Sequence, residues 1–253
     1  MKRIALLGLG QFNRALLTEL FGLPRTQIIV VDRDDELVEL YKDKVAFSYI
    51  ADVSDEHTLQ KVVTEKVDAA VVDLGEQTGA AVLVVNNLKK IGVEWIVAKA
   101  ETDRFARVLK SVGVHQVILP GWDAARRIAP QLLLSSLKNF LPISEKLVLA
   151  EVIVPPLLVG ESIITGAVRV SHQVNVIAVR TVSAPDYAYV SADYRFTRSD
   201  IVLVTGSRVA VSRFAGEDLE STRLLRKESL LKRAFSEHWG KRSAVRRHSS
   251  GGS

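Results

Sequence analysis

Over the first 120 residues, short apolar runs alternate with amphipathic stretches. Residues 4–7 are apolar and end at a glycine, and helical spacing follows over 12–21. The β-branched run 27–31 closes on Asp32, and acids ahead of apolar positions predict a helix over 36–41. Residues 47–50 predict a third strand, and Ser54 is the expected N-cap of a helix with His57 three residues on. Strands expected over 69–72, 95–98 and 116–119 alternate with helices over 77–91 and 102–112. Near-continuous apolar strands separated by helices predict a parallel sheet covered on both faces. The expected fold class is α/β, a Rossmann-like doubly wound sheet.

The pattern then changes. Residues 123–141 keep helical spacing, with Pro130 as a kink and Pro142 as a stop. Between 146 and 211 short strands are expected at 147–154, 168–170, 174–179, 187–190 and 201–204. Turn signals at Pro155-Pro156, Ser183-Ala184-Pro185 and Arg198-Ser199-Asp200 separate them. This predicts a small α+β domain over 145–216, after a first domain over 1–141 that includes the helix 123–141. Residues 217–239 have the spacing of a helix, and 241–253 run basic and then Ser/Gly-rich, as a disordered end does.

Composition narrows the classes. The chain has 253 residues, 47% hydrophobic and 25% charged, which excludes a disordered or collagen-like polymer. No apolar run reaches the roughly 20 residues that a bilayer crossing needs. Gly8 and Gly10 interrupt the N-terminal apolar run, so a secretory leader is not expected. The absence of cysteine excludes disulfides and thiolate metal sites and suits a reducing cytoplasm. Nine Lys/Arg against two acids between Arg223 and Arg247 place +7 there, so the net +5 leaves −2 for the rest of the chain. A near-neutral body does not point to nucleic acid. The five histidines show no metal-ligand spacing, so no metal site is expected.

The chemistry-bearing motif is Gly8-Leu9-Gly10-Gln11-Phe12-Asn13, set between the first strand and the first helix. The first glycine permits a tight turn, the second lets backbone approach a pyrophosphate, and the helix start offers unpaired N–H groups. Asn13 stands where Gly or Ala usually lets helix and strand pack closely, and it is expected to push the helix slightly off the sheet. Asp32, 24 residues after Gly8, stands where a carboxylate takes a ribose hydroxyl. That acid disfavours a 2′-phosphate, and neighbouring Arg33 softens the preference. Asp52 at a strand end faces either the adenine edge or solvent, and Lys99 at another reaches a phosphate or ribose, or else is a surface lysine. No GxSxG, HExxH or Walker lysine occurs. With one histidine in the second region, the nucleotide is expected to be sensed rather than used in catalysis, so the chain is not expected to be an enzyme.

Residues 1–216 resemble the regulator-of-K⁺-conductance (RCK, or KTN) subunits of Trk/Ktr-type potassium uptake systems, the TrkA/KtrA family. The resemblance rests on IALLGLGQFNRAL, VVDRDDE, AFSYIADVSDEHTL, AVVDLGEQTGAAVLVVNNLKKIGVEWIVAKA and RVLKSVGVHQVILPGWDAARRIAPQL. VPPLLVGESI, RVSHQVNVIAVR and RSDIVLVTGS extend it into the second region. It implies a cytoplasmic subunit that dimerises, assembles into an octameric ring and lies at the inner face of the membrane beneath a TrkH/KtrB-type channel subunit. It implies ATP/ADP or NAD(H) as the regulatory ligand. Gly8, Gly10, Gln11, Phe12 and Asn13 would then cradle phosphates, Asp32 take the ribose, Arg33 and Asp52 sit near the adenine, Gly75 line the pocket and Lys99 reach the phosphates. Residues 123–141 match the crossover helix that joins partners.

The chain also departs from that family. Gln11 stands where ATP-responsive members often have Arg, and Leu119-Pro120-Gly121 where they often read His-Pro-Glu, which weakens discrimination of ATP from ADP. Some Ktr-type C-terminal domains bind cyclic di-AMP, and the matching stretch offers Arg169 and Asn175 as polar partners over an apolar floor of Ile164, Val176 and Ile177. An ordinary strand–turn–strand is the other reading of that stretch, and Ala192 replaces a proline common in the family. The basic tail either steadies a ring against anionic lipid or is solvated. The alternative function is an NAD-dependent oxidoreductase on the same scaffold. Nucleic-acid binding through the tail is a third reading.

Overall fold

The computed structural model describes residues 1–63 and 67–216, so the helix and basic tail expected over 217–253 lie outside the described residues. The described residues fall into two compact units, divided between Ala124 and Ala125.

In the first unit β1 (Lys2–Leu7), α1 (Gln11–Leu20), β2 (Thr26–Asp32), α2 (Asp35–Tyr41) and β3 (Phe47–Ile50) come first. Then follow α3 (Glu56–Val62), β4 (Ala69–Val72), α4 (Thr78–Ile91), β5 (Trp95–Lys99), α5 (Asp103–Val112) and β6 (Gln116–Ile118). The six strands form one parallel sheet in the order β3-β2-β1-β4-β5-β6. Alternation along β1 explains why both faces are buried. Ala5 and Leu7 join Leu59, Val84, Leu88 and Leu109 from α3–α5, while Leu6 joins Leu17 of α1 and Val38 of α2. At roughly 25 cal/mol per Å² of buried apolar surface, these two layers are the main source of stability.

Helix ends follow local chemistry. Gly92 and Gly113 end α4 and α5 in the left-handed region, at φ 91° and 98°. Thr102 caps α5 by accepting from the Phe105 N–H. The N-cap of α3 is Asp55, which accepts from the Thr58 N–H at 3.1 Å. The expected cap, Ser54, instead donates its hydroxyl to Asp52.

The second unit continues α6 (Pro120–Leu133) and contains β7 (Leu137–Pro142), β8 (Val148–Ile153), α7 (Val168–Ser171), β9 (Val174–Thr181), β10 (Asp200–Gly206) and α8 (Arg208–Phe214). Its sheet is antiparallel, in the order β7-β8-β10-β9. Phe140, Phe196, Phe214, Val152, Val202 and Val204 lie in its core.

Four expectations change here. Helix over 123–141 gives way to α6 ending at Leu133 and to β7. A register irregularity between Leu137 and Asn139 places buried Leu137 and Phe140 three apart, which imitates helical spacing. Because β7 pairs with β8, the division between units falls after Ala124, within α6, and not near 141–145. Residues 168–170 form one helical turn, with Val168 buried in the core and Ala167 before it at φ 45°. Packing there overrides a β-branched sequence. Residues 187–190 form only a single bridge, Val179 to Ala188, beyond Pro185.

Candidate functional site

In an open parallel sheet, ligands bind beyond the strand C-termini where the strand order reverses. Here that point lies between β1 and β4, the two central strands. A cleft of about 270 Å³ opens there, lined among others by Gly8, Gly10, Asp32, Arg33, Asp52 and Gly75. Six of the ten residues expected to bind nucleotide therefore meet at one cleft. Gln11, Phe12, Asn13 and Lys99 are not among its lining residues.

The glycine turn is sterically fixed. Gly8 has φ 81°, and a Cβ there would lie 2.2 Å from the Asp73 carbonyl oxygen. Its N–H donates to the Val31 carbonyl, which ties the end of β1 to the end of β2. A Cβ on Gly10 would fall 2.2 to 2.6 Å from the Asp73 carboxylate oxygens. The Asp32 carboxylate accepts from the N–H groups of Leu9 and Asp34 and so closes the turn from the β2 side. Only half-buried, it keeps access to the cleft it lines.

Asp52, exposed beyond β3, accepts from both the hydroxyl and the N–H of Ser54. These bonds hold its carboxyl below the usual range, and the charge of Arg33 adds to them. Asn13 is fully buried. Its side-chain amide donates to the carbonyls of Gly8 at 2.7 Å, Val71 at 3.2 Å and Leu7 at 3.4 Å. Asn13 thus draws α1 onto the sheet instead of pushing it away.

Lys99 lies 3.2 Å from Asp73 and 2.8 Å from Glu101. Burial alone would lower its ammonium, but the bond to Glu101 and the charge of Asp73 outweigh it and hold it above its ordinary value. Asp73 itself was not among the expected site residues. It is buried at the tip of β4 and accepts from the N–H groups of Phe12 and Asn13 at 3.1 and 3.3 Å. The sequence carried a signal for it: Val-Val-Asp at 71–73 repeats the Val-Val-Asp at 30–32.

In the second unit, Ile164 and Arg169 are exposed before and on α7, and Asn175 and Ile177 are exposed on β9. Val176 packs partly against the core. Ala167 and Gln173, at φ 45° and 56°, bracket α7 in the left-handed region.

Comparison with known proteins places this geometry. Residues 4–120 match the family model of the TrkA-N domain. Those residues are similar to a TrkA-N domain. The chain is 27% identical over 213 residues to the Ktr system potassium uptake protein C of Bacillus subtilis (strain 168), covering 84% of this chain and 96% of that protein. It is 29% identical over 163 residues to the Ktr system potassium uptake protein A of Vibrio alginolyticus, covering 64% of this chain and 73% of that protein. Among solved structures, the GsuK RCK domain superposes with a TM-score of 0.60 at 16% identity, over 86% of this chain and 48% of that one. The GsuK channel bound to NAD gives 0.58 at 17% identity, over 86% of this chain and 40% of that one. The chain spans less than half of either structure, and the likeness to them is one of fold.

Proposed function

We propose that this chain is the nucleotide-sensing regulatory subunit of a potassium uptake system. The likeness to a Ktr potassium uptake protein over 96% of that protein's length supports the role. The observation that carries the sensing is the cleft where the strand order reverses, lined by the glycine turn and the Asp32 carboxylate. An adenine nucleotide, ADP, ATP or NAD(H), fits that arrangement through its ribose at Asp32 and its base toward Arg33 and Asp52. The chain acts from the cytoplasmic side, on a TrkH/KtrB-type membrane subunit.

Copies of the chain associate as dimers and an octameric ring through α6. That helix buries none of its residues and exposes Trp122, Ile128, Leu132 and Leu133. The surface around Arg169 and Asn175 is a second ligand site, for cyclic di-AMP. A ligand that binds one ring geometry better biases the gate by its differential affinity and by no more than that.

The test is potassium flux through the membrane subunit reconstituted with this chain, under ADP, ATP, NADH and cyclic di-AMP in turn. At least one adenine ligand is expected to change the flux, and native mass should give the ring. An intact ring whose flux no ligand alters overturns the reading.

A further inference from the structure

A helix start bound to a nucleotide normally gives its unpaired N–H groups and positive dipole end to phosphate. In this chain a side chain of the protein already holds part of that position. The Asp73 carboxylate accepts from the Phe12 and Asn13 N–H groups in the first turn of α1. It lies so close to Gly10 that a Cβ there would come within 2.2 Å of it. The close approach that this glycine allows is therefore made to an internal carboxylate.

The cation is committed as well. Lys99, expected to reach the phosphates, is only 14% exposed and lies between Asp73 and Glu101. Among the described residues, Asp73 Oδ1 has no hydrogen bond, and the cation beside it is Lys99. Of the turn and first-turn amides, those of Gly8, Leu9, Phe12 and Asn13 all donate within the protein. The remaining lining adds three carboxylates, Asp32, Asp34 and Asp52, against one guanidinium, Arg33. Among the described residues, a further phosphate brought here finds only the Gly10 and Gln11 amides of that turn uncommitted, and it meets like charge. By contrast, the adenosine end of the cleft keeps the Asp32 carboxylate and the pocket walls of Leu37, Ala51 and Val53. The cleft's 270 Å³ is also small beside the roughly 300–1,000 Å³ of pockets that enclose whole drug-sized ligands.

We infer that Asp73 is the specificity-determining residue of this cleft, which selects ligands by their adenosine end and draws little affinity from their phosphates. The inference rests on the nucleotide-sensing reading above and names the ligand class within it: adenosine-headed compounds, largely irrespective of phosphate number. Asp73 acts through the charge and the hydrogen bonds it contributes at the start of α1.

Calorimetric titration of the full chain with adenosine, AMP, ADP and NAD⁺ tests it. In the wild type the four ligands should bind within about fivefold of one another. Asp73→Ala, which frees the Phe12 and Asn13 amides and leaves Lys99 paired with Glu101 alone, should tighten ADP by about tenfold or more, since charge-assisted bonds to phosphate are the strong ones. Adenosine should shift less than about threefold in that variant. Asp73→Asn keeps an acceptor for α1 and removes the charge, so it should move ADP in the same direction if the alanine variant does not fold. ADP binding the wild type a hundredfold more tightly than adenosine would overturn this inference and leave the nucleotide-sensing reading standing. Failure of all four to bind would overturn both. Unchanged ADP affinity in a folded Asp73→Asn protein would remove Asp73 from the role.

Discussion

The Asn13 side-chain amide donates to the Val71 carbonyl at 3.2 Å, so the first turn of α1 is fastened directly to β4. The same amide reaches Gly8 at 2.7 Å and thereby joins both strands that flank the cleft. Close packing here comes from a buried amide NH2 that donates to three carbonyls, where a glycine would achieve it by having no side chain.

Asn13→Ala should therefore destabilise the first unit. It removes the shared donor and leaves the Leu7, Gly8 and Val71 carbonyls without that partner, in a site closed to water. A buried group stripped of its partner costs about 1–3 kcal/mol. Urea unfolding followed by hydrogen exchange in β1 and β4 should show a lower midpoint with an unchanged slope.

Asp32→Ala should weaken adenine-nucleotide binding by about tenfold, the loss expected for a charge-assisted bond of roughly 1.5 kcal/mol or more. Titration calorimetry reads it directly. An unchanged affinity would detach Asp32 from the ribose, while the glycine turn would keep its steric reason.

The first unit was legible in the sequence for a physical reason. Its inner strands β1, β2, β4 and β5 are buried along most of their apolar runs, and Gly8 and Asp32 mark the strand tips that build the cleft. Asp73 was less legible because its partners, Gly10 and Lys99, lie 63 and 26 residues away, and only the fold brings the three together. Asn13 could be misread because a side chain's bulk is visible in a sequence and its three carbonyl partners are not. In the second unit, β7 misled because a register irregularity gives a strand the spacing of a helix. The turn at α7 was hidden by β-branched residues that packing of Val168 overrules.

Asp52 gives a pH signature. Its folded-state carboxyl is lowered by the Ser54 hydroxyl and N–H, whereas the unfolded value is about 3.9. A group depressed on folding contributes stability that is present above its unfolded value and lost as pH falls through the folded one. Asp52→Asn should therefore melt about 1–2 °C below the wild type near neutrality, a small gap because the carboxylate is exposed. The gap should close as pH drops below about 4. Melting curves from pH 7 to pH 3 check it, and a gap that widens in acid would contradict the assignment.

Asp200 offers a test confined to the second unit. Fully buried at the start of β10, its carboxylate accepts from the Tyr194 hydroxyl at 2.9 Å, the Thr197 N–H at 2.8 Å and the Thr197 hydroxyl at 2.7 Å. Burial and this bond hold the Tyr194 phenol above its ordinary value. A carboxylate can stay buried only because these donors replace its water. Asp200→Ala leaves the donors buried without an acceptor, at about 1–3 kcal/mol each, and Asp200→Asn keeps an acceptor and should cost less. Hydrogen exchange separates the units: protection should fall in β8, β9 and β10, which share the sheet with Asp200, while β1–β6 keep theirs. Equal losses in both sheets would mean that the two units unfold as one, and equal stability of the Ala and Asn variants would mean that the acceptor is not what Asp200 supplies.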